Sequence, residues 1–334
     1  VVTANLAGGA RQEEADPCKY ELLAHLLSRA DLIGLQEATR VYDASGALVR
    51  DDVEKLRAAG LLPAYESYFF AELDSAVQSH PDKWQRQTAA RALRDLFLQG
   101  CRILQGVAIL VRRPHCMYDL WRDERAAGAV GQIIPWYAQV APYAAGLGER
   151  PCVYLGGRDT EPRPLIVARV RARNRFVLFC CTHLSALKEE DQVIDGKPTR
   201  AATPAGTAIR KHQVEWIVHY VQSYLQAPGC PDPRVPIVLV GDLNADATAI
   251  ELGGLERLGL EPVPFDPHQQ APAHATSWPC THRKRGVAVD LICATKSLID
   301  RPASIHVLDD HEAGPSGGRR ISDHYPVEAT LRLA

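Results

Sequence analysis

Five places in the chain carry polar side chains able to do chemistry, four of them directly after an apolar run. Pro236-Ile237-Val238-Leu239-Val240 is followed by Gly241-Asp242-Leu243-Asn244. The same break recurs at Leu35-Gln36-Glu37, Cys181-Thr182-His183 and Val289-Asp290, and Ser322-Asp323-His324 joins them near the C-terminus. A packed core accepts neither an unpaired carboxylate nor an unpaired amide, so these groups must face a cleft. Carboxylates, amides and imidazoles together offer hard ligands for a divalent cation and general acid–base groups. Glu37 lies one residue past its apolar run, and Asn5 ends Val1-Val2-Thr3-Ala4-Asn5. Both present oxygen, which suits Mg²⁺ or Mn²⁺ rather than zinc. No Ser or Cys stands in a nucleophile-elbow sequence, so no covalent enzyme intermediate is expected. Cys181 alternates with Thr182 along a strand and so belongs to the core.

The elements that must position these groups read as an alternation of buried strands and amphipathic helices. Val1 to Asn5 is a strand, Asp16-Pro17 starts a helix with Leu22, Leu23, Leu26 and Leu27 on one face, and Asp31 to Gln36 is a strand again. A short helix over 51–59, a strand over Glu66 to Ala71, a helix over Asp82 to Leu98 and a strand over Gly106 to Val111 follow. Residues 114–160, rich in Gly, Pro and aromatics, read as a long surface insertion at the substrate end. Pro164 to Arg171 and Arg175 to Leu184 form a hairpin turning at Arg173-Asn174, with Arg169, Arg171, Arg173 and Arg175 on a solvated face. A long helix over Thr207 to Leu225 and strands at 236–242, 287–294 and 325–333 complete the set. No repeat and no long polar linker interrupts it, so residues 1–334 are expected to form a single domain.

Taken together the motifs are Asn5, Gln36-Glu37, Gly106 to Leu110, Thr182-His183-Leu184, Gly241 to Asn244, Asp290 and Ser322-Asp323-His324. In that order they resemble the endonuclease/exonuclease/phosphatase superfamily, the deoxyribonuclease-I-like metal-dependent phosphoesterases. The resemblance implies an α/β fold, a four-layer α/β/β/α sandwich of two mixed sheets packed face to face. It also implies roles. Glu37 would be the main ligand of Mg²⁺ (or Mn²⁺), supported by Asn5 and Asp323. Asp242 would orient or deprotonate the attacking water, and Asn244 would hold a phosphate oxygen. His324, oriented by Asp290, would donate to the scissile phosphate, and His183, braced by Glu161, would be the second phosphate-facing imidazole. A neighbouring carboxylate favours the charged imidazole, which would stabilise the pentacoordinate phosphorus. Arg210 and Gln213, one turn apart on the long helix, match a common Arg-x-x-Gln of the family and read as structural ties to the sheet.

Two basic clusters, His282-Arg283-Lys284-Arg285 and Arg319-Arg320, flank the site in sequence, and Trp278 lies near them. Arg283, Arg285, Arg320 and Trp278 could grip a polyanion and stack a base; the other reading of the clusters is that they balance the carboxylates of the site. Nucleic acid is the leading substrate, making the protein a nuclease. The alternatives are a phosphodiesterase or phosphatase for a lipid headgroup, sphingomyelinase-like, or for a small phosphometabolite, and a catalytically silent binding protein on the same fold. The sequence lacks the Trp motifs of inositol-polyphosphate 5-phosphatases, and His183 stands where abasic-site endonucleases place Asn.

Composition sets wider bounds. With 334 residues, 46% of them hydrophobic, and a net charge of −2, the chain has ample core and no global basic signal. No apolar run approaches the length of a membrane-spanning helix. Nine cysteines, an odd number without metal-ligand spacing, favour a reducing, cytoplasmic setting over a secreted one. A monomer is favoured.

Overall fold

Strands carry most of the site, and they fall into two sheets. The computed structural model describes residues 1–6, 19–61, 64–76, 91–118, 120, 129–134, 163–186, 190–194, 197–200, 202–270, 287–299, 303–308, 322 and 324–333. The first sheet has β1 (Val2–Asn5), β2 (Leu32–Tyr42), β3 (Leu48–Asp51), β4 (Tyr65–Asp74), β5 (Arg102–Arg112), β15 (Ile305–Val307) and β16 (Val327–Ala329). Their order is β15-β16-β1-β2-β5-β4, with β3 also paired to β2. The second has β6 (Cys116–Tyr118), β7 (Ala129–Ile134), β8 (Arg163–Ala172), β9 (Arg175–His183), β12 (Ile237–Asp242), β13 (Leu260–Pro262) and β14 (Asp290–Thr295). They run β13-β14-β12-β9-β8-β6, with β7 on β8. Both sheets are mixed: β1 with β2 and β12 with β9 are parallel, among otherwise antiparallel ladders. A separate pair, β10 (Asp191–Ile194) and β11 (Lys197–Arg200), follows β9.

Side-chain alternation along these strands makes four layers. Val107 and Ile109 of β5 meet Phe179, Cys181, Val238 and Val240 of the second sheet in one inner cluster. Their neighbours face outward. Ile33, Leu35, Ala108 and Leu110 pack under Leu23 and Leu27 of helix α1 (Lys19–Leu27). Leu178, Cys180, Leu239, Leu291 and Cys293 pack under Val214, Ile217 and Val221 of the long helix. Full burial of each aliphatic side chain contributes roughly 1.5–3 kcal/mol. At Gly34 the sheets approach so closely that a Cβ would lie 2.4 Å from Val240 Cγ2.

The helices depart from expectation mainly at their ends. The helix expected over 51–59 is α2 (Asp52–Leu56), capped by the Asp51 side chain on Val53 N and Glu54 N, followed by a wide turn that ends near Gly60 at φ 112°. From the helix expected over 82–98, α3 (Arg91–Leu98) is described. The long helix, α4 (Pro204–Gln226), starts earlier than expected, because Thr203 accepts from Gly206 N and Pro204 takes a first-turn position where no N–H is needed. Among the described residues no helix is long and apolar enough to cross a membrane.

The strand expected over 325–333 is only Val327–Ala329, and three further sequence readings change. β2 runs on to Tyr42 instead of stopping at Gln36, with β3 folding back against it. The expected surface excursion over 114–160 contains two strands of the second sheet, since β6 and β7 both pair with β8; the remainder, Leu120 apart, lies outside the described residues. Arg169 is not on a solvated face. It is 2% exposed and its guanidinium stacks 3.7 Å over the Phe176 ring.

Cys181 and Cys293 are core residues, and burial pushes both thiols up to about 12. Thiolate is the reactive form. Alkylation of the native protein near neutral pH is therefore expected to leave both unmodified, and peptide mapping that finds either labelled before unfolding would contradict this placement.

Candidate active site

The strands β1, β9 and β12 end at one edge of the sandwich, where β2 passes through Gln36 and Glu37 on its way to Tyr42, and register does the rest. His183 pairs with Asp242 across the parallel ladder, and Asp242 pairs with Asp290 across the antiparallel one. These three form one row at the rim of the second sheet. On the first sheet Asn5 pairs with Gln36. Asn5 then crosses the gap between the sheets, donating from Nδ2 to Asp242 Oδ2 at 3.1 Å and, more weakly, to Glu37 Oε1 at 3.4 Å.

Glu37 reaches this place through a defect in β2. Opposite β5, Leu35 pairs with Ala108 and Ala38 with Gly106, so two residues of β2 face one of β5. The surplus is a β-bulge, and Glu37 has the left-handed φ of 54° that such bulges use to re-aim a side chain. Gln36 stays in phase and points inward, accepting from Thr3 Oγ1 at 3.0 Å and donating to Cys181 Sγ at 3.2 Å.

Gly241 and Asn244 shape the other rim. At Gly241 φ is 153°, and a Cβ would sit 2.0 Å from Thr182 O, so only glycine fits. Asn244, at φ 50°, turns the chain back so that its N donates to Asp242 Oδ1 at 2.9 Å and its Nδ2 to Leu184 O at 2.9 Å. Asp242 is thereby fixed from two sides.

Both imidazoles present Nε2 to the same carboxylate oxygen. His183 Nε2 lies 3.6 Å and His324 Nε2 3.7 Å from Asp242 Oδ2, too far for direct hydrogen bonds and close enough to flank a small group between them. His324 Nδ1 is 2.7 Å from Asp290 Oδ2. An ionised carboxylate only accepts, so the proton is on Nδ1 and the ring is held with Nε2 facing the cleft. His324 N also donates to Ser322 Oγ at 3.1 Å. Asp290 is fully buried and Asn5, His183, Asp242, Asn244 and His324 nearly so.

The donor set fits a divalent cation. Asp242, Asp290 and His324 place ligand atoms within 4.8 Å of one another, and the Glu37 carboxylate joins Asp242 through the Asn5 amide, whose Nδ2 donates to both. Since His324 Nδ1 and Asp290 Oδ2 are taken up with each other, the carboxylates of Glu37 and Asp242 are the better ligands for a hard ion, and Asn5, whose Nδ2 now donates to both, would add its amide oxygen on turning about its side-chain bond.

Of the residues singled out from sequence, the structure brings together Asn5, Glu37, His183, Asp242, Asn244, Asp290 and His324. Glu161, Asp323, Arg283, Arg285, Arg320 and Trp278 lie outside the described residues. Sequence reasoning missed Ser185, Glu190 and Glu251, the partners of Arg210 and Gln213. Glu251 sits in Ile250-Glu251-Leu252, which reads as an exposed helical face, and only the unusual buried arginine opposite it could have flagged it.

The sequence profile of the Endonuclease/Exonuclease/phosphatase family matches residues 2–324. The chain belongs to this family. Members of the endonuclease/exonuclease/phosphatase family are phosphoric ester hydrolases, generally dependent on a divalent metal. No curated protein matches by sequence. Among solved structures, a Bacteroides thetaiotaomicron mannosyl-6-phosphatase is 14% identical with a TM-score of 0.54, covering 100% of this chain and 99% of its own. A family protein of Beutenbergia cavernae is 18% identical at TM-score 0.56, with 99% of this chain and 70% of that one covered. The catalytic domain of human Nocturnin is 13% identical at TM-score 0.54, covering 99% and 94%. At such identities the likeness is one of fold.

Proposed function

We propose that this protein hydrolyses a phosphoester by in-line attack of water, with a divalent cation, and that nucleic acid is its substrate. The observation that carries the chemistry is the Asp242 carboxylate, held by Asn5 and Asn244 and flanked by two imidazole Nε2 atoms. Asp242 is the group to orient and deprotonate the water. His183 and His324 face the position where charge develops on the phosphoryl oxygens, and Asp290 holds His324 by its Nδ1, so that Nε2 donates to those oxygens when the ring carries its second proton. Asn244 keeps the rim closed on Leu184 and directs Asp242 through its backbone. A bound Mg²⁺ or Mn²⁺, held by Glu37 and Asn5 with Asp242 adjacent, would neutralise phosphoryl oxygens and assist the leaving group. A catalytically silent protein would have no use for so complete a set.

The nucleic-acid assignment is supported by the basic clusters 282–285 and 319–320 in the sequence. The test is a Mg²⁺-dependent screen of single-stranded DNA, duplex DNA, RNA, sphingomyelin and phosphomonoesters. Hydrolysis of a nucleic acid in preference to the other substrates is expected. Preference for sphingomyelin or a phosphomonoester would overturn the substrate, and no hydrolysis of any of them would overturn the reaction.

A further inference from the structure

We infer that Arg210 and Gln213 are positioning residues for the site, acting through Ser185. The inference rests on the phosphoester-hydrolase reading above and deepens it. The ladder between β9 and β12 ends at the pair His183 and Asp242, with one further bond from Leu184 N to Asp242 O at 2.9 Å. Among the described residues, this ladder has no further rung beyond Leu184. Yet Leu184 O is the acceptor that fixes the Asn244 side chain, so the peptide after Leu184 must not move.

Ser185, 1% exposed, is gripped at all its polar atoms. Its N donates to Gln213 Oε1 at 3.0 Å, its Oγ accepts from Gln213 Nε2 at 2.7 Å, and its O accepts from an Arg210 terminal nitrogen at 3.3 Å. Arg210 is also 1% exposed. It binds both oxygens of Glu190, at 2.9 and 2.8 Å, and donates from Nε to Glu251 Oε1 at 2.9 Å. Glu190 belongs to the chain that leaves His183, and Glu251 to the chain that leaves Asn244. One guanidinium therefore ties both exits of the site to α4.

The Glu190 carboxylate has its own support. Glu190 lies at the start of α4, where Thr203 N donates to it at 3.4 Å and the positive end of the helix favours an anion. A Cβ at Gly206 would be 2.1 Å from Glu190 Oε1, so this residue must be glycine for the carboxylate to approach. Buried ionic groups are weak sources of stability because desolvation offsets their attraction. Their geometry here points to registration: they hold the Leu184–Ser185 peptide, and through it Asn244, at a fixed distance from Asp242.

Gln213→Met keeps the side-chain length and removes both bonds to Ser185 without changing charge. It should leave the protein folded, lower kcat by roughly ten- to a hundredfold, as a misplacement of about 1 Å does, and leave KM within about twofold. The side-chain amide signal of Asn244, read by ¹⁵N NMR without substrate, should shift or broaden. Arg210→Lys retains the charge but not the planar fork and should shift that signal as well; if it fails to fold, Gln213→Met carries the test alone. A lower melting temperature with unchanged kcat and an unchanged Asn244 signal would mean a merely structural tie and overturn the inference. Because the Asn244 signal needs no turnover, it decides the point even where the proposed reaction fails.

Discussion

Asp242→Asn is expected to lower turnover by roughly two to four orders of magnitude, the range associated with loss of a positioned general base. The fold should tolerate the change. Asn is nearly isosteric, the carboxylate lies in a cluster with Glu37 and Asp290, and neutralising one of three neighbouring anions relieves repulsion. Its amide oxygen can still accept from Asn244 N, the bond now made at 2.9 Å, while the bond that Oδ2 accepts from Asn5 Nδ2 at 3.1 Å is lost, because the new amide nitrogen also donates. What the variant loses is basicity between the two imidazoles. The measurement is kcat alongside a melting curve and substrate affinity. Near-normal turnover in a folded variant would remove Asp242 from the role of water-activating group.

Removal of divalent cations should have an effect at least as large. Rates are expected to fall by about three orders of magnitude or more, since a bound cation contributes several kcal/mol of charge stabilisation. Mg²⁺ or Mn²⁺ should restore them. The reasoning lies in the donor set: Glu37, Asn5 and Asp242 present oxygens, and no group of thiolates is found near them among the described residues. Isothermal titration of the metal-free protein with Mg²⁺ gives a readout independent of turnover, and Glu37→Gln should weaken that binding. Full activity in excess EDTA would rule the cation out of the reaction.

How much of this was legible beforehand follows from which physics was local. Strand ends were legible because an apolar run that stops at Asp242, His183 or Asp290 contradicts burial, and the contradiction is written in consecutive residues. The four layers were implied by the resemblance to the family, since the buried strands and amphipathic helices alone indicate only an α/β class; in the structure each strand alternates between the inner cluster and a helix-covered face. The extension of β2 to Tyr42 was not legible, since Glu37 to Arg40 reads as polar and its pairing partners lie far along the chain. The strands β6 and β7 are short and rely on β8 for their ladder. Ser185, Glu190 and Glu251 became visible only through contacts with Arg210. Those contacts span 20 to 41 positions, a range over which residue type gives no pairing rule.

The bulge at Glu37 has a consequence for how this strand tolerates change. Leu35 and Ala38 stand three positions apart, yet both belong to the layer under α1. Past the bulge the strand is out of step with its first half, and Val41 turns instead to a small cluster with Leu73 and Ile103, against Leu96 and Phe97 of α3. Losing one residue anywhere between Leu35 and Val41, even one that touches nothing in the cleft, would force one of the two helix-covered layers onto the wrong face. The carboxylate is held in place by parity as well as by chemistry, and a substitution is easier for this stretch to survive than a deletion.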